Sequence, residues 1–268
     1  MLVSVIITTK NEERNIGKCL ESVLVQDFPK ENIEIVVVDN NSTDGTREIV
    51  RKYTGKVFNW GPERSAQRNF GVRESKGEYF LHLDADMSLS RDVVAECVEK
   101  VMADRDLIAL YIPEKIIGRG FWGKVRNFER SFYDRTAIDG VRFIKKDVFE
   151  KVGGFDENLY ACEDWDLNKR LKKLGKFGIT RSVLYHNESE FNLKKYLAKK
   201  KYYSRNVNVY IKKWGKNDPD VKKQFGFYYR FFKVFVEDSK WKRLIRHPFL
   251  MAGIYFLRFL VGLRYLLS

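Results

Sequence analysis

Four short apolar runs, Leu2–Thr9, Ile33–Val38, Glu78–Leu83 and Leu107–Ile112, alternate with stretches of helical periodicity. Ile16, Cys19, Leu20, Val23 and Leu24 recur at helical spacing after the first run. Val93, Val94, Cys97, Val98 and Val101 do so before the last. Between the second and third runs, turn residues Asn40–Gly45 precede a helix to about Tyr53. A short strand near Lys56–Asn59 and a helix over Ser65–Ser75 are expected next. This alternation predicts an α/β fold, a mostly parallel sheet with helices on both faces.

Ligands of such sheets bind beyond the carboxyl ends of the strands. Thr9, Asp39 and the pair Asp84/Asp86 each stand at such an end. Carboxylates resist burial unless they are paired or hold a cation. Side chains two apart on a strand share a face, so Asp84 and Asp86 are expected to converge on one ligand. Magnesium is commonly held by one or two carboxylates plus substrate phosphates. His82, inside the same strand, reads as a structural histidine.

The pattern loosens after residue 113. An amphipathic helix is expected over Phe121–Arg135, a strand over Gly140–Lys145 and a turn at Gly153-Gly154. Glu163–Leu174 reads as a helix closed by Gly175. Three helices follow, about Leu193–Trp214, Val221–Val236 and Pro248–Leu267.

The quoted stretches "IITTKNEE", "VVVDNNSTDG", "ERSAQRNFG", "LHLDADMS" and "ACEDWDLNKR" fall in an order that resembles glycosyltransferase family 2. The resemblance spans about residues 1–187 and implies the GT-A, nucleotide-diphosphosugar transferase, fold. It further implies a nucleoside-diphosphate sugar donor, a divalent cation (Mn2+ or Mg2+) and a glycan or lipid-linked acceptor. By the same resemblance, Thr9, Asn11, Glu12 and Asp39 hold the nucleoside. Asp84 faces the ribose and Asp86 binds the cation. His186 lies near the metal, and Arg68 orients the phosphates or the DxD segment. Asp164 is the catalytic base, with Glu163 and Trp165 on the acceptor side. The family implies a single displacement with inversion at the sugar carbon.

A base needs to sit within reach of the acceptor proton. Asp164 near a helix N-terminus is expected to be held ionised, unless burial opposes it. No QxxRW motif follows the ED pair, so one sugar per encounter is expected. No glycine-rich GxGxR loop follows the first strand, which argues against nucleotide-sugar synthesis. Cys162 has no base partner in the sequence and is rejected as a nucleophile.

Charge divides the chain. Residues 1–186 carry 31 basic and 30 acidic side chains, whereas residues 187–268 carry 19 and 6. The expected organisation is a catalytic domain at 1–187, with a nucleotide-sugar half to 112 and an acceptor half beyond it. A helical, basic and aromatic region follows at 188–268. Arg258 and Arg264 interrupt the last helix, and a central arginine costs about 2.5–3.5 kcal/mol in a bilayer. A helix lying on an anionic membrane or packed on its neighbours is therefore expected, rather than a span. Three scattered cysteines and the lack of a leader pattern suggest a reducing, cytoplasmic location at the membrane face. Two other readings follow from the same residues: a nucleotide-sugar-binding module without catalysis, and a nucleic-acid binder using the basic tail. The tail has no groove-reading or base-stacking motif, so no nucleic acid partner is expected.

Overall fold

The computed structural model describes residues 1–188 and 191–266, with backbone alone at 203–205 and 265–266. The strands are β1 (Val3–Thr9), β2 (Ile33–Asp39), β3 (Val57–Asn59), β4 (Tyr79–Asp84), β5 (Met87–Leu89), β6 (Leu107–Tyr111), β7 (Glu114–Ile117), β8 (Phe143–Lys145), β9 (Lys176–Ile179) and β10 (Leu184–Asn187). The helices are α1 (Ile16–Leu24), α2 (Thr46–Arg51), α3 (Arg64–Glu74), α4 (Val93–Ala103), α5 (Gly120–Arg130), α6 (Lys146–Lys151), α7 (Glu163–Leu171), α8 (Leu193–Trp214), α9 (Pro219–Phe225), α10 (Val234–Val236), α11 (Trp241–Ile245) and α12 (Pro248–Leu266). Two compact units result. One holds residues 1–114, 140–157 and 163–187, and the other holds 115–139, 158–162 and 188–268. Residues 115–139 and 158–162, read from sequence with the acceptor half, thus cluster with the C-terminal helices.

The first unit is built on a seven-stranded sheet in the order β3-β2-β1-β4-β8-β6-β9. It is parallel except at β8, which runs antiparallel to both β4 and β6. The uniform apolar runs are explained by burial on two sides. Val3, Val5 and Ile7 enter one core with Ile35, Val37, Leu81 and α1, while Ile6 enters the other with Val36, Val38 and Phe80. Residues 3 to 9 of β1 are all buried. Helix α3 lies close on the second face because Gly71 has no side chain. A Cβ there would stand 2.4 Å from Ile6 Cγ2 and 3.1 Å from Val38 Cγ2. That approach brings Arg68, three residues earlier, over the ends of the strands.

Several expected boundaries move for local reasons. Gly175 does not close α7, which ends at Leu171. Its Cβ would meet Ile108 Cγ2 at 2.7 Å, so glycine is needed for close packing before β9. The helix expected over Val221–Val236 breaks at Gly226, whose extended backbone ends α9. A Cβ at Gly226 would lie 2.1 Å from the Lys222 carbonyl oxygen. Strands β5, β7, β9 and β10, of three or four residues each, are too short to show a period in the sequence.

The second unit is helical apart from the short strand at its start. Arg258 is buried in it and pairs with Glu129, so α12 turns this arginine inward. The predicted helix end at Leu267 lies outside the described residues. Among those described, no helix is long and apolar enough to cross a membrane.

Candidate active site

The carboxyl ends of the parallel strands form one polar row. Thr9 is in register with Asp39, Asp39 with Asn59, and Thr8 with Asp84. Gln67, buried on α3, donates to the carbonyls of Thr9 at 3.1 Å and Val38 at 2.7 Å, closing the strand ends.

Asp39 is buried and accepts from Ser42, from its backbone N–H at 2.9 Å and from its hydroxyl. Asn11 has φ 55° and accepts from the Thr43 N–H at 2.8 Å, while its own N–H donates to Ser42 Oγ at 2.8 Å. The Glu12 N–H donates to Thr46 Oγ1 at 2.8 Å. The loop after β1 and the loop after β2 are thereby fastened to each other. Thr9 Oγ1 is buried without a hydrogen-bond partner among the described residues.

Arg68 forms the centre of a second group. Its side chain is 1% exposed. Nη2 donates to Asp84 Oδ1 at 2.9 Å and Nη1 to Asp164 Oδ1 at 3.1 Å, with Glu163 Oε1 at 3.5 Å. Phe155 lies under the guanidinium, 5.2 Å from ring centre to Cζ. Arg64, one turn before, reaches Glu163 at 3.4 Å and Asp84 at 3.9 Å. Burial opposes ionisation of Asp84, but Arg68, Arg64 and Arg142 outweigh it and hold the carboxyl well below the usual range. Burial likewise opposes ionisation of Asp164, and Arg68 and Arg142 again prevail. Glu163 moves the other way, raised by burial and by the neighbouring charge of Asp164. Trp165 is half-buried on α7.

The third group starts at Asp86. The chain turns at Ala85, so Asp86 does not continue the β4 face that carries Asp84. Instead Asp86 Oδ2 meets His186 Nε2 at 3.1 Å, and His186 Nδ1 meets Glu114 Oε1 at 2.9 Å. Arg142 stands 3.7 Å from Glu114. Burial pulls the His186 pKa down, yet the hydrogen bonds to Asp86 and Glu114 outweigh it and push it up to about 10. Asp86 Oδ1 is buried with no hydrogen-bond partner among the described residues. The two aspartates of the DxD thus face different partners, which the strand-alternation argument did not foresee.

Glycosyl transferase family 2 is the family whose sequence model matches residues 4–155. The chain belongs to that family. It is 32% identical over 188 residues to glycosyltransferase AglE of Haloferax volcanii, covering 65% of this chain and 62% of AglE. It is 33% identical over 129 residues to the poly(ribitol-phosphate) beta-N-acetylglucosaminyltransferase TarS of Staphylococcus aureus, covering 45% of this chain and 22% of TarS. The chain therefore spans less than two thirds of the length of these curated relatives. Among solved structures, it is similar to the mannosyltransferase PcManGT of Pyrobaculum calidifontis in complex with GDP-Man and Mn2+. The TM-score is 0.63 at 22% identity, over 99% of this chain and 84% of the other. The S. aureus TarS 1–349 complex with UDP-GlcNAc gives 0.59 at 20% identity, over 90% and 78%. These likenesses establish the GT-A fold expected from the sequence.

In this family 2 chain, the residues that sequence reading missed are Arg64, Glu114, Arg142 and Phe155. Arg64 had a signal, since it lies four residues before Arg68 and so on the same helix face. Glu114 and Arg142 sit on or beside short strands with no periodicity to reveal them. His82, read as structural, is fully buried on β4, and its Nε2 lies 3.0 Å from the Val141 carbonyl oxygen.

Proposed function

We propose that the protein transfers one sugar from a nucleoside-diphosphate sugar to a hydroxyl or phosphate acceptor, with inversion at the sugar carbon and with a divalent cation. The observation that carries this reading is the position of Asp164. An ionised carboxylate, 29% exposed, is tied through Arg68 to the same strand-end row that holds Asp84. In this reading Asp164 takes the proton from the acceptor oxygen as that oxygen bonds to the sugar C1. The bond from C1 to the diphosphate oxygen breaks on the opposite side, and the nucleoside diphosphate leaves with the electron pair. Thr9, Asn11, Glu12 and Asp39 hold the nucleoside. Glu163 and Trp165 face the acceptor.

Among the described residues no group of three or more His, Cys, Asp or Glu could hold a metal alone, so a cation here would rest on Asp86 and His186 together with oxygens of the donor diphosphate. Asp86 has one buried oxygen without a hydrogen-bond partner among the described residues, and His186 adjoins it with its ring fixed by Glu114. A carboxylate backing a metal-ligand histidine is a common supporting arrangement. Asp84 is engaged by Arg68 and Arg64 instead. A divalent cation bound by Asp86 and by His186 Nε2, the imidazole giving up the proton it shares with Asp86, would offset the charge on the departing diphosphate. The donors in the PcManGT and TarS complexes, GDP-Man and UDP-GlcNAc, support a nucleotide-sugar donor but leave base and sugar open.

The acceptor side of the reading is a membrane surface. On α12, Phe249, Phe256, Phe259 and Leu263 are 80%, 48%, 60% and 39% exposed. With exposed Ala252 they follow a three-four spacing, which draws one apolar stripe along a helix. Exposed Lys242, Arg243 and Arg246 precede the stripe. Apolar side chains beside basic ones suit the headgroup region of an anionic leaflet. The protein is accordingly proposed to act at the cytoplasmic membrane face.

A thermal-shift panel of UDP-, GDP- and dTDP-sugars, each with Mn2+ or Mg2+, tests the donor assignment. One donor should raise Tm more with the cation than without it, since stabilisation follows affinity. No shift with any donor would sink the transfer reading.

A further inference from the structure

Helix α5 carries charges that sugar transfer does not use. Glu129, buried, accepts from Arg126 Nη1 at 2.7 Å, Arg258 Nε at 3.0 Å and the Tyr133 hydroxyl at 2.6 Å. Arg258 Nη2 donates to the Tyr133 oxygen at 2.7 Å. Its Nη1 is buried with no hydrogen-bond partner among the described residues, and the residue is 7% exposed. Arg230 and Arg258 each place Cζ 5.9 Å from the centre of the Tyr133 ring. Arg126 Cζ and Lys200 Nζ lie 5.1 and 5.4 Å from the centre of the Tyr196 ring. Among the described residues the second carboxylate is Glu188, held by Arg126 through two bonds of 3.1 Å.

Among the described residues, four cations, Arg126, Arg230, Arg258 and Lys200, thus face two carboxylates, and none of the four is an exposed side chain. Arg126 is fully engaged by Glu129 and Glu188, whereas Arg258 keeps an unused N–H pair. Withdrawing an excess of positive charge from water is costly unless an anion completes the group. Burial first, then Arg126 and Arg230, pull the Lys200 pKa down to about 8, as expected of an ammonium among cations. Arg130, close by, is already paired with Asp139 at 2.9 Å and does not add to the excess.

We propose that Arg230, Arg258 and Lys200, gathered around Tyr133 and Tyr196, form a receptor for a phosphoryl group. Guanidinium forks match phosphate oxygens, and an ammonium supplies a mobile point charge beside them. The phosphoryl group belongs to a phosphorylated lipid or to free phosphate. Its use as the anchor of a phosphorylated acceptor rests on the transfer reading; the binding itself does not.

The test is calorimetric titration of the full chain in EDTA, so that no divalent cation supports the strand-end site. The probes are inorganic phosphate, farnesyl phosphate and farnesol. The variants are Lys200→Gln and Arg230→Gln, which leave the Glu129–Arg258 pair intact. Phosphate or farnesyl phosphate should bind, and each variant should weaken that binding by about tenfold or more. Farnesyl phosphate binding about tenfold more tightly than phosphate assigns the site to a lipid; equal binding assigns it to the free anion. No binding of either anion, equal binding of farnesol and farnesyl phosphate, or full binding in both variants overturns the proposal. Titration of UDP and GDP with Mn2+ in the same variants should be unchanged. Absence of nucleotide binding already in the unsubstituted chain would count against the transfer reading alone.

Discussion

Arg68 Nη1 lies 3.1 Å from Asp164 Oδ1, while Nη2 of the same guanidinium lies 2.9 Å from Asp84 Oδ1. One buried cation therefore joins the strand that ends in the DxD to the helix that starts with the ED pair. Breaking a buried ion pair by removing one partner costs about 3–5 kcal/mol, because the other charge is left uncompensated. Arg68→Met should destabilise the chain by about 3 kcal/mol in urea unfolding. Adding Asp84→Asn to it should restore part of that loss. A single variant as stable as the unsubstituted chain would remove Arg68 from its central role.

Asp86→Ala and His186→Ala address the proposed cation. Each should reduce donor affinity measured with Mn2+ and leave the weaker affinity measured in EDTA unchanged. The loss expected for a ligand or its support is about 10- to 100-fold in metal affinity. Equal donor affinity with and without Mn2+ in the unsubstituted chain would refute the assignment of both residues.

His82 predicts an acid sensitivity of folding. Burial, then Arg68 and Arg142, push its pKa from 6.5 down to about 3. The unfolded chain takes up this proton below about pH 6.5 and the folded chain does not, so stability is full above that pH and falls as pH drops. Between pH 7 and pH 5 the loss from this group is about 2 kcal/mol. Chemical unfolding of His82→Gln, which has no proton to take up, should fall less by about that amount. Parallel pH dependence in the two chains would show that His82 does not titrate between the two states.

The α12 stripe predicts membrane binding. Phe249→Ser combined with Phe259→Ser should lower co-sedimentation with anionic vesicles, and added salt should weaken what remains by screening the basic residues. Both side chains are exposed, so Tm should hold. Unchanged sedimentation would mean that the stripe does not touch lipid.

Much of the first unit was legible in the sequence because strand and helix periods differ and strand ends are marked by polar residues. Asp39 and Asp84 needed only that rule. The Arg68 bridge was half visible: its proximity to the donor side came from the family resemblance, but its contact with Asp164 depends on Gly71 letting α3 close on β1. The separation of Asp84 from Asp86 was not legible, since a two-residue turn at Ala85-Asp86 between two short strands leaves no signal that distinguishes it from continued strand. Glu114 meets His186, and Arg142 meets Glu114, only through strands of three or four residues and the loops beside them, too short to show a period. In the tail, the sequence showed Arg258 as an interruption. Its partner Glu129 lies 129 residues away, and no local pattern connects the two.

The most direct measurement is single-turnover transfer by Asp164→Asn, alongside donor titration of the same variant. Asn keeps the size of Asp but cannot take the acceptor proton. Donor binding should be unchanged and transfer reduced by about 100-fold or more. Transfer at the unsubstituted rate, with donor bound equally well, would contradict the assignment of Asp164 as base and the mechanism built on it.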